Sequence, residues 1–320
     1  MSGSFLDRLD PELAAHLEQV PAMDLSGDIP AVREAMRRQQ EPLLAAMPEV
    51  PGVVAVDHTV PGDVRVRLYE RVERTTPSAA MLWIHGGGMC FGSVEADDYL
   101  CRTWTARLGC VIASVDYRLA PEHQYPAHVD DCYAALRWLA SGAADLGIDP
   151  GRIVIGGASA GGGLAAGTAL LARDRGEVGL AAQLLIFPMI DDRAITPSSQ
   201  EMTFPKAWNR EANRHAWRAY LGDRVGTDDV PLYAAPARAS VEDLRGLPPA
   251  YIDVGELDPF RDEDIAYASR LLQAGVPCEL HVTPGVYHGS EGQVLGATSS
   301  RRIRGYRNAW MARVLGDGMT

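Results

Sequence analysis

The chain has 320 residues, 47% of them hydrophobic and 22% charged, with a formal net charge of −12 and a pI near 5.1. This is soluble globular composition, long enough for one large α/β domain carrying an insertion. The acidic balance argues against nucleic acid or an anionic membrane as the main partner.

The first fifty residues read as helices broken by prolines, at 11–19 and 30–40. Residues 64–72 switch to apolar/polar alternation, the mark of a half-buried strand. Short apolar strands follow at 80–84, 111–115, 152–155, 183–187, 250–254 and 279–282, and helical stretches lie near 97–108, 129–139, 162–173, 263–272 and 302–314. Such alternation implies a mostly parallel sheet covered on both faces. Residues 191–222 break the rhythm: they hold no good strand but an aromatic, helical segment with Phe204, Trp208, Trp217 and Tyr220. The expected organisation is N-terminal cap helices (1–50), a core in two parts (51–190 and 223–320) and a cap insertion (191–222) over the sheet's C-terminal edge.

Cys90, Cys101, Cys110, Cys132 and Cys278 are scattered, odd in number and without metal-ligand spacing. They suit free thiols in a reducing compartment better than a disulfide framework. The N-terminal residues show no secretory pattern, and no run approaches the roughly 18 apolar residues of a transmembrane helix. A soluble cytoplasmic protein without integral membrane association is expected.

Gly157-Ala158-Ser159-Ala160-Gly161 follows an apolar strand and opens a small-residue helix. A bare G-x-S-x-G arises often by chance as a small-residue turn. The strand–turn–helix context makes it a nucleophile elbow, with the serine exposed on a turn too sharp for side chains on its neighbours. At a helix N-terminus, the dipole and free N–H groups favour developing negative charge.

His85-Gly86-Gly87-Gly88 follows the strand at 80–84. Consecutive glycines expose backbone N–H groups, and two of these with the N–H of Ala160 could hold a tetrahedral oxyanion. A phosphate-binding loop would end in Gly-Lys-Ser/Thr, whereas Met89-Cys90-Phe91 follows here. His85, beside the glycines, is read as orienting the loop, not as a base.

Partners of a serine nucleophile in this fold follow in the order acid, then histidine, each after a later strand. Asp258 lies in the loop after 250–254, stiffened by Pro259. His288 is the histidine in a post-strand loop downstream of it, whereas His281 sits inside the strand as a structural residue. Glu256 and Asp262 are rival acids, with Asp258 preferred. Asp262-Glu263-Asp264 reads as the acidic first turn of a helix. Serine is weakly nucleophilic at its free pKa, so His288 would take its proton while the acid holds the imidazole tautomer.

These blocks, with Asp116-Tyr117-Arg118-Leu119-Ala120-Pro121-Glu122, Gly255–Asp262 and Tyr287-His288-Gly289, resemble the hormone-sensitive-lipase-like family of bacterial esterases, over roughly residues 80 to 290. The resemblance implies an α/β-hydrolase fold: an eight-stranded, mostly parallel sheet flanked by helices, with a helical cap. It implies Ser159 as nucleophile, Asp258 as acid, His288 as base, and Gly87, Gly88 and Ala160 as oxyanion donors. It makes the tract at 116–122 a brace for the loops near the site. It implies hydrolysis of short- to medium-chain carboxylic esters through an acyl-enzyme, with no metal or cofactor, and homodimers in many members. Two departures stand out: Ala158 precedes the serine where Asp or Thr is common, and Ser290 follows His-Gly where phenylalanine is usual.

Phe204, Trp208 and Trp217 are candidates for the acyl or alcohol pocket of a small-molecule ester, against plain cap packing for each. Two other classes stay open. One is an acyltransferase or lyase on a specialised natural product using the same site. The other is a non-catalytic ligand-binding protein, like the plant hormone receptors that resemble the family without its histidine.

Overall fold

Eight strands form one sheet in the computed structural model, which describes residues 5–20 and 22–316. Residues 1–4, 21 and 317–320, which fall in the expected segments 1–50 and 223–320, lie outside the described residues. The chain opens with helices α1 (Phe5–Arg8), α2 (Pro11–Gln19) and α3 (Ile29–Ala45), then strands β1 (Val53–Val60), β2 (Val64–Arg71) and β3 (Ser78–Ile84). It continues through α4 (Asp98–Leu108), β4 (Val111–Asp116), α5 (Ala127–Ser141), β5 (Ile148–Ala158), α6 (Ala160–Arg175) and β6 (Ala182–Ile186). Two helices, α7 (Pro197–Glu201) and α8 (Arg210–Leu221), precede β7 (Ala250–Leu257), α9 (Arg261–Gln273), β8 (Cys278–Tyr287), α10 (Ser290–Gln293) and α11 (Thr298–Leu315).

The strand order is β1-β2-β4-β3-β5-β6-β7-β8. The pairings β1–β2 and β2–β4 are antiparallel, and the others are parallel. The central strands are buried on both faces, which is why they read as near-continuous apolar runs. In β3, Ala80, Leu82 and Ile84 join one core with α5, α6 and α9, while Ala79, Met81 and Trp83 join the other with α4 and α11. This period of two is the pleat itself. The order reverses at β3, whose neighbours β4 and β5 lie on opposite sides, and ligands in open α/β sheets bind at the strand C-termini beside such a switch.

A third apolar cluster lies over the ends of β7 and β8, where Leu9, Leu13 and Leu17 pack with Met202, Leu257, Val286 and Tyr287. There the N-terminal helices meet the 191–222 segment: Ala22 bridges Lys206, Met23 N–H donates to Pro205 O, and Phe5 stacks on Phe204.

Some boundaries differ from the sequence-based expectation. Strand β1 was not expected, because it is an edge strand whose residues are mostly half-buried or exposed. Its available signal was the turn Pro61-Gly62-Asp63, with positive φ at Gly62 and Asp63. Helix α3 runs through Pro42. Its exposed last turn tolerates a proline because water can serve the carbonyl that loses its donor. Strand β5 starts at Ile148, ahead of the expected residue 152.

Candidate active site

The serine turn is shaped by what cannot fit beside it. Ser159 holds φ +57°, a sparsely populated conformation for a residue with a side chain. It is fixed by its N–H donating to Ile186 O (2.8 Å) and its carbonyl accepting from Gly163 and Met189 (3.0 and 2.9 Å). A β-carbon at Gly161 would lie 2.0 Å from Ile84 O, and one at Gly157 would lie 2.3 Å from Gly161 O. Both positions therefore admit glycine alone. Ser159 caps the sixteen-residue helix α6, with the positive end of its dipole at the hydroxyl.

His288 and Asp258 follow β8 and β7 directly, so two adjacent parallel strands deliver them together. His288 Nε2 lies 3.0 Å from Ser159 Oγ, and His288 Nδ1 lies 2.7 Å from Asp258 Oδ2. The other carboxylate oxygen, Oδ1, accepts from Phe260 N–H at 2.9 Å, and Asp258 is 1% exposed. The edges and faces of Phe187 and Phe260 bracket the imidazole, at centroid distances of 4.7 and 5.0 Å. Such a chain can draw the hydroxyl proton onto the imidazole while the buried carboxylate steadies the resulting charge.

The rival acids are engaged elsewhere. Glu256 accepts from Gly285 N–H at 3.0 Å and faces Arg8. Asp262 accepts from Ser198 N–H at 2.7 Å and pairs with Arg261. His281 bonds Glu279 and stacks on Tyr306. Asp262, Glu263 and Asp264 do open helix α9, but only Asp262 keeps solvent contact. Glu263 accepts from Ile190 and Asp191 N–H, and burial pushes its carboxyl well above the ordinary range. Burial raises Asp264 in the same way.

In the glycine loop, Gly87, Gly88 and Met89 all have positive φ (118°, 60° and 59°). A β-carbon at Gly87 would lie 2.4 Å from Phe91 O. Neighbouring groups hold the loop's carbonyls. Tyr117 Oη donates to His85 O, Ala120 N–H and the buried His128 ring reach Met89 O, and Arg33 Nε donates to Cys90 O. His85 stacks on Tyr117 and donates from Nδ1 to Gly86 O, a loop-orienting arrangement. Burial pushes the Cys90 thiol up to about 12 and holds His128 near 4.

The three aromatic candidates separate. Trp208 approaches the site: its ring lies 6.4 Å from His288 and against Gly88. Phe204 stacks on Phe5 in the third cluster, and Trp217 is fully buried against Tyr220. Neither ring is placed beside Ser159. Ser290 is buried and donates to Tyr287 O at 2.8 Å. A cavity of about 10 Å³, roughly one water in size, lies behind Asp258 and is lined by Phe187, Asp253, Thr283 and Glu291 among others.

A buried ion network that no sequence motif signalled borders the same cavity through Asp253 and Glu291. Arg307 holds Asp253 through two 3.0 Å hydrogen bonds and Glu291 through one of 3.2 Å. Its guanidinium also lies 6.0 Å from the Phe187 ring centroid. A charged residue within an otherwise ordinary helix gave no signal of this. Among the described residues, no helix is long and apolar enough to cross a membrane.

Comparison with known proteins agrees with the fold. A family profile described as alpha/beta hydrolase fold matches residues 81–291. Esterase LipI of Mycobacterium tuberculosis is 37% identical over 292 residues, 89% of this chain and 88% of that protein. Ethyl acetate hydrolase of Pseudomonas putida is 34% identical over 298 residues, 88% and 91% of the two chains. A solved structure of a bacterial heroin esterase has a TM-score of 0.92 at 44% identity, covering 97% of this chain and 98% of its own. On the strength of that family match and these full-length likenesses, the chain belongs to the α/β-hydrolase-fold family, in its hormone-sensitive-lipase-like branch of carboxylesterases.

Proposed function

We propose that this carboxylesterase hydrolyses short- to medium-chain esters through an acyl-enzyme on Ser159. The observation that carries the reading is the hydrogen-bonded chain Ser159–His288–Asp258, at 3.0 and 2.7 Å. Ser159 Oγ attacks the ester carbonyl carbon as its proton passes to His288 Nε2, and the carbonyl π pair moves onto oxygen. The N–H groups of Gly87, Gly88 and Ala160 stabilise that oxyanion; one such donor is worth roughly 10²–10³ in kcat. When the carbonyl re-forms, the C–O bond to the alcohol breaks and His288 protonates the departing oxygen. Water then adds to the acyl-enzyme, giving its proton to His288, and collapse releases the acid and restores the serine. Asp258 stabilises the imidazolium in both halves.

The N-terminal helices and the 191–222 segment form the cap, with Trp208 bounding the acyl or alcohol site; its place between Gly88 and His288 supports this. The acidic charge and the scattered, odd-numbered cysteines support a soluble, cytoplasmic enzyme. A homodimer is proposed from the family resemblance and the edge position of β8, and sedimentation of the purified protein tests it.

The test of the activity is turnover of p-nitrophenyl esters from acetate to dodecanoate by wild type and Ser159→Ala, with chelator present. The expected result is a maximum at the shorter chains and loss of turnover in the mutant. A folded wild type inert on the whole series would overturn the reading.

A further inference from the structure

We propose that Arg33, on the N-terminal helix α3, is a positioning residue that holds the glycine loop in its oxyanion-binding shape. The inference rests on the reading of Gly87 and Gly88 as oxyanion donors.

The loop does not have an intrinsically stable shape. Three consecutive residues, Gly87, Gly88 and Met89, have positive φ. Two are glycines with broad conformational freedom, and the third is an unfavourable place for a side-chain-bearing residue. Such a backbone keeps one geometry only if its surroundings hold it. Met89 O is held from one side by Ala120 N–H and His128. The next carbonyl, Cys90 O, accepts from Arg33 Nε at 2.6 Å.

The same guanidinium reaches further. Its Nη2 donates to Ala120 O at 2.5 Å, and its two terminal nitrogens donate to Glu122 at 2.8 and 3.0 Å. Arg33 therefore joins the glycine loop to the tract Asp116–Glu122, whose own Ala120 N–H holds the neighbouring loop carbonyl. A planar fork suits this task, because it satisfies two carbonyls while the carboxylate balances its charge. A lysine ammonium could not match that geometry. Other arginines on the helix behave differently: Arg37 and Arg38 are exposed and pair with Glu34 on their own helix.

The bland alternative is that Arg33 merely docks α3 onto the core. That role would change stability without changing how well the site holds an oxyanion. A trifluoromethyl ketone separates the two. Ser159 Oγ adds to its carbonyl carbon, the π pair moves to oxygen and the hydroxyl proton goes to His288, leaving a tetrahedral oxyanion without turnover.

The experiment compares wild type, Arg33→Met, Arg33→Lys and Arg37→Ala. Each is checked for folding by circular dichroism, then assayed for kcat and KM on p-nitrophenyl butyrate and for Ki of a butyl trifluoromethyl ketone. The expected result for Arg33→Met is about a tenfold fall in kcat, KM within about twofold, and a parallel rise of about tenfold in Ki. Arg33→Lys is expected to resemble it, and Arg37→Ala to match wild type. If Arg33→Met does not fold, Arg33→Lys supplies the same comparison. A folded Arg33 variant with unchanged kcat and Ki, or one that raises KM alone, would overturn the inference. A wild type that is active on esters but insensitive to the ketone would instead remove its foundation, the oxyanion reading of Gly87 and Gly88.

Discussion

Trp208 rests against Gly88 so closely that a β-carbon at position 88 would fall 2.3 Å from its Cη2 atom and 2.9 Å from Cζ2. The absence of a side chain at one residue thus makes room for the indole of another, 120 residues later, whose ring lies 6.4 Å from that of His288. Gly88→Ala should lower kcat by about 100-fold, because it displaces both the ring and a proposed oxyanion donor. Adding Trp208→Ala should restore about tenfold of that loss by removing the clash, though not the strain of alanine at positive φ. Trp208→Ala alone should raise the octanoate-to-acetate ratio of kcat/KM by about tenfold. Steady-state kinetics on the two esters checks all three, and an unchanged ratio would remove Trp208 from the pocket.

The acid assignment predicts unequal penalties among three nearby carboxylates. Asp258→Asn removes the acceptor that fixes the His288 tautomer, and kcat should fall by about 10³- to 10⁴-fold. Glu256→Gln and Asp262→Asn should stay within about threefold of wild type, since their hydrogen bonds go to Gly285 and Ser198. A collapse of kcat in Glu256→Gln with Asp258→Asn active would reverse the assignment.

Arg307 is the cation of a buried three-member network, and its removal should be felt in stability. Arg307→Met leaves Asp253 and Glu291 buried without their countercharge, at a cost of about 3–5 kcal/mol near pH 7. Burial already pushes the Glu291 carboxyl upward in the intact protein. Without the guanidinium the Glu291 carboxyl should titrate higher still, so its protonation relieves the repulsion as pH falls. The gap between variant and wild type should therefore narrow from pH 7 to pH 5 in urea unfolding. A gap that widens would contradict the electrostatic account.

His128 gives a pH effect of the opposite origin. Burial holds its folded pKa near 4, below its ordinary value of 6.5, so the unfolded chain binds the proton more readily in that window. Its neutral form contributes fully above 6.5, and this contribution is lost as pH falls toward 4. Between pH 7 and pH 5 the wild type should lose about 2 kcal/mol more stability than His128→Gln. The raised carboxyls of Glu263 and Asp264 act in the other direction, but they are common to both proteins and cancel in the comparison. Parallel urea titrations at the two pH values measure the difference, and equal losses would show that His128 is not the titrating group.

How far the linear chain disclosed the molecule follows from the range of the forces involved. Ser159, Asp258 and His288 each follow a strand, in short motifs whose small or rigid neighbours are set by local backbone geometry. A pattern of a few residues therefore pointed to each, and the parallel sheet brought them together. The central strands were legible for a similar reason, since burial on both faces leaves a continuous apolar run. Edge strand β1 lacks that burial, and its pattern faded accordingly.

Packing alone settled the rest. Arg33 and Cys90 are 57 residues apart, and Arg307 and Asp253 are 54 apart. Nothing in the residues around either arginine distinguishes it from a solvated one. The aromatic residues of the 191–222 segment looked alike in sequence, yet Phe204 found Phe5, Trp217 entered the core and Trp208 reached Gly88. Composition says that such rings will be buried; which surface each one meets depends on the shape left by distant elements, and that shape exists only once the chain has folded.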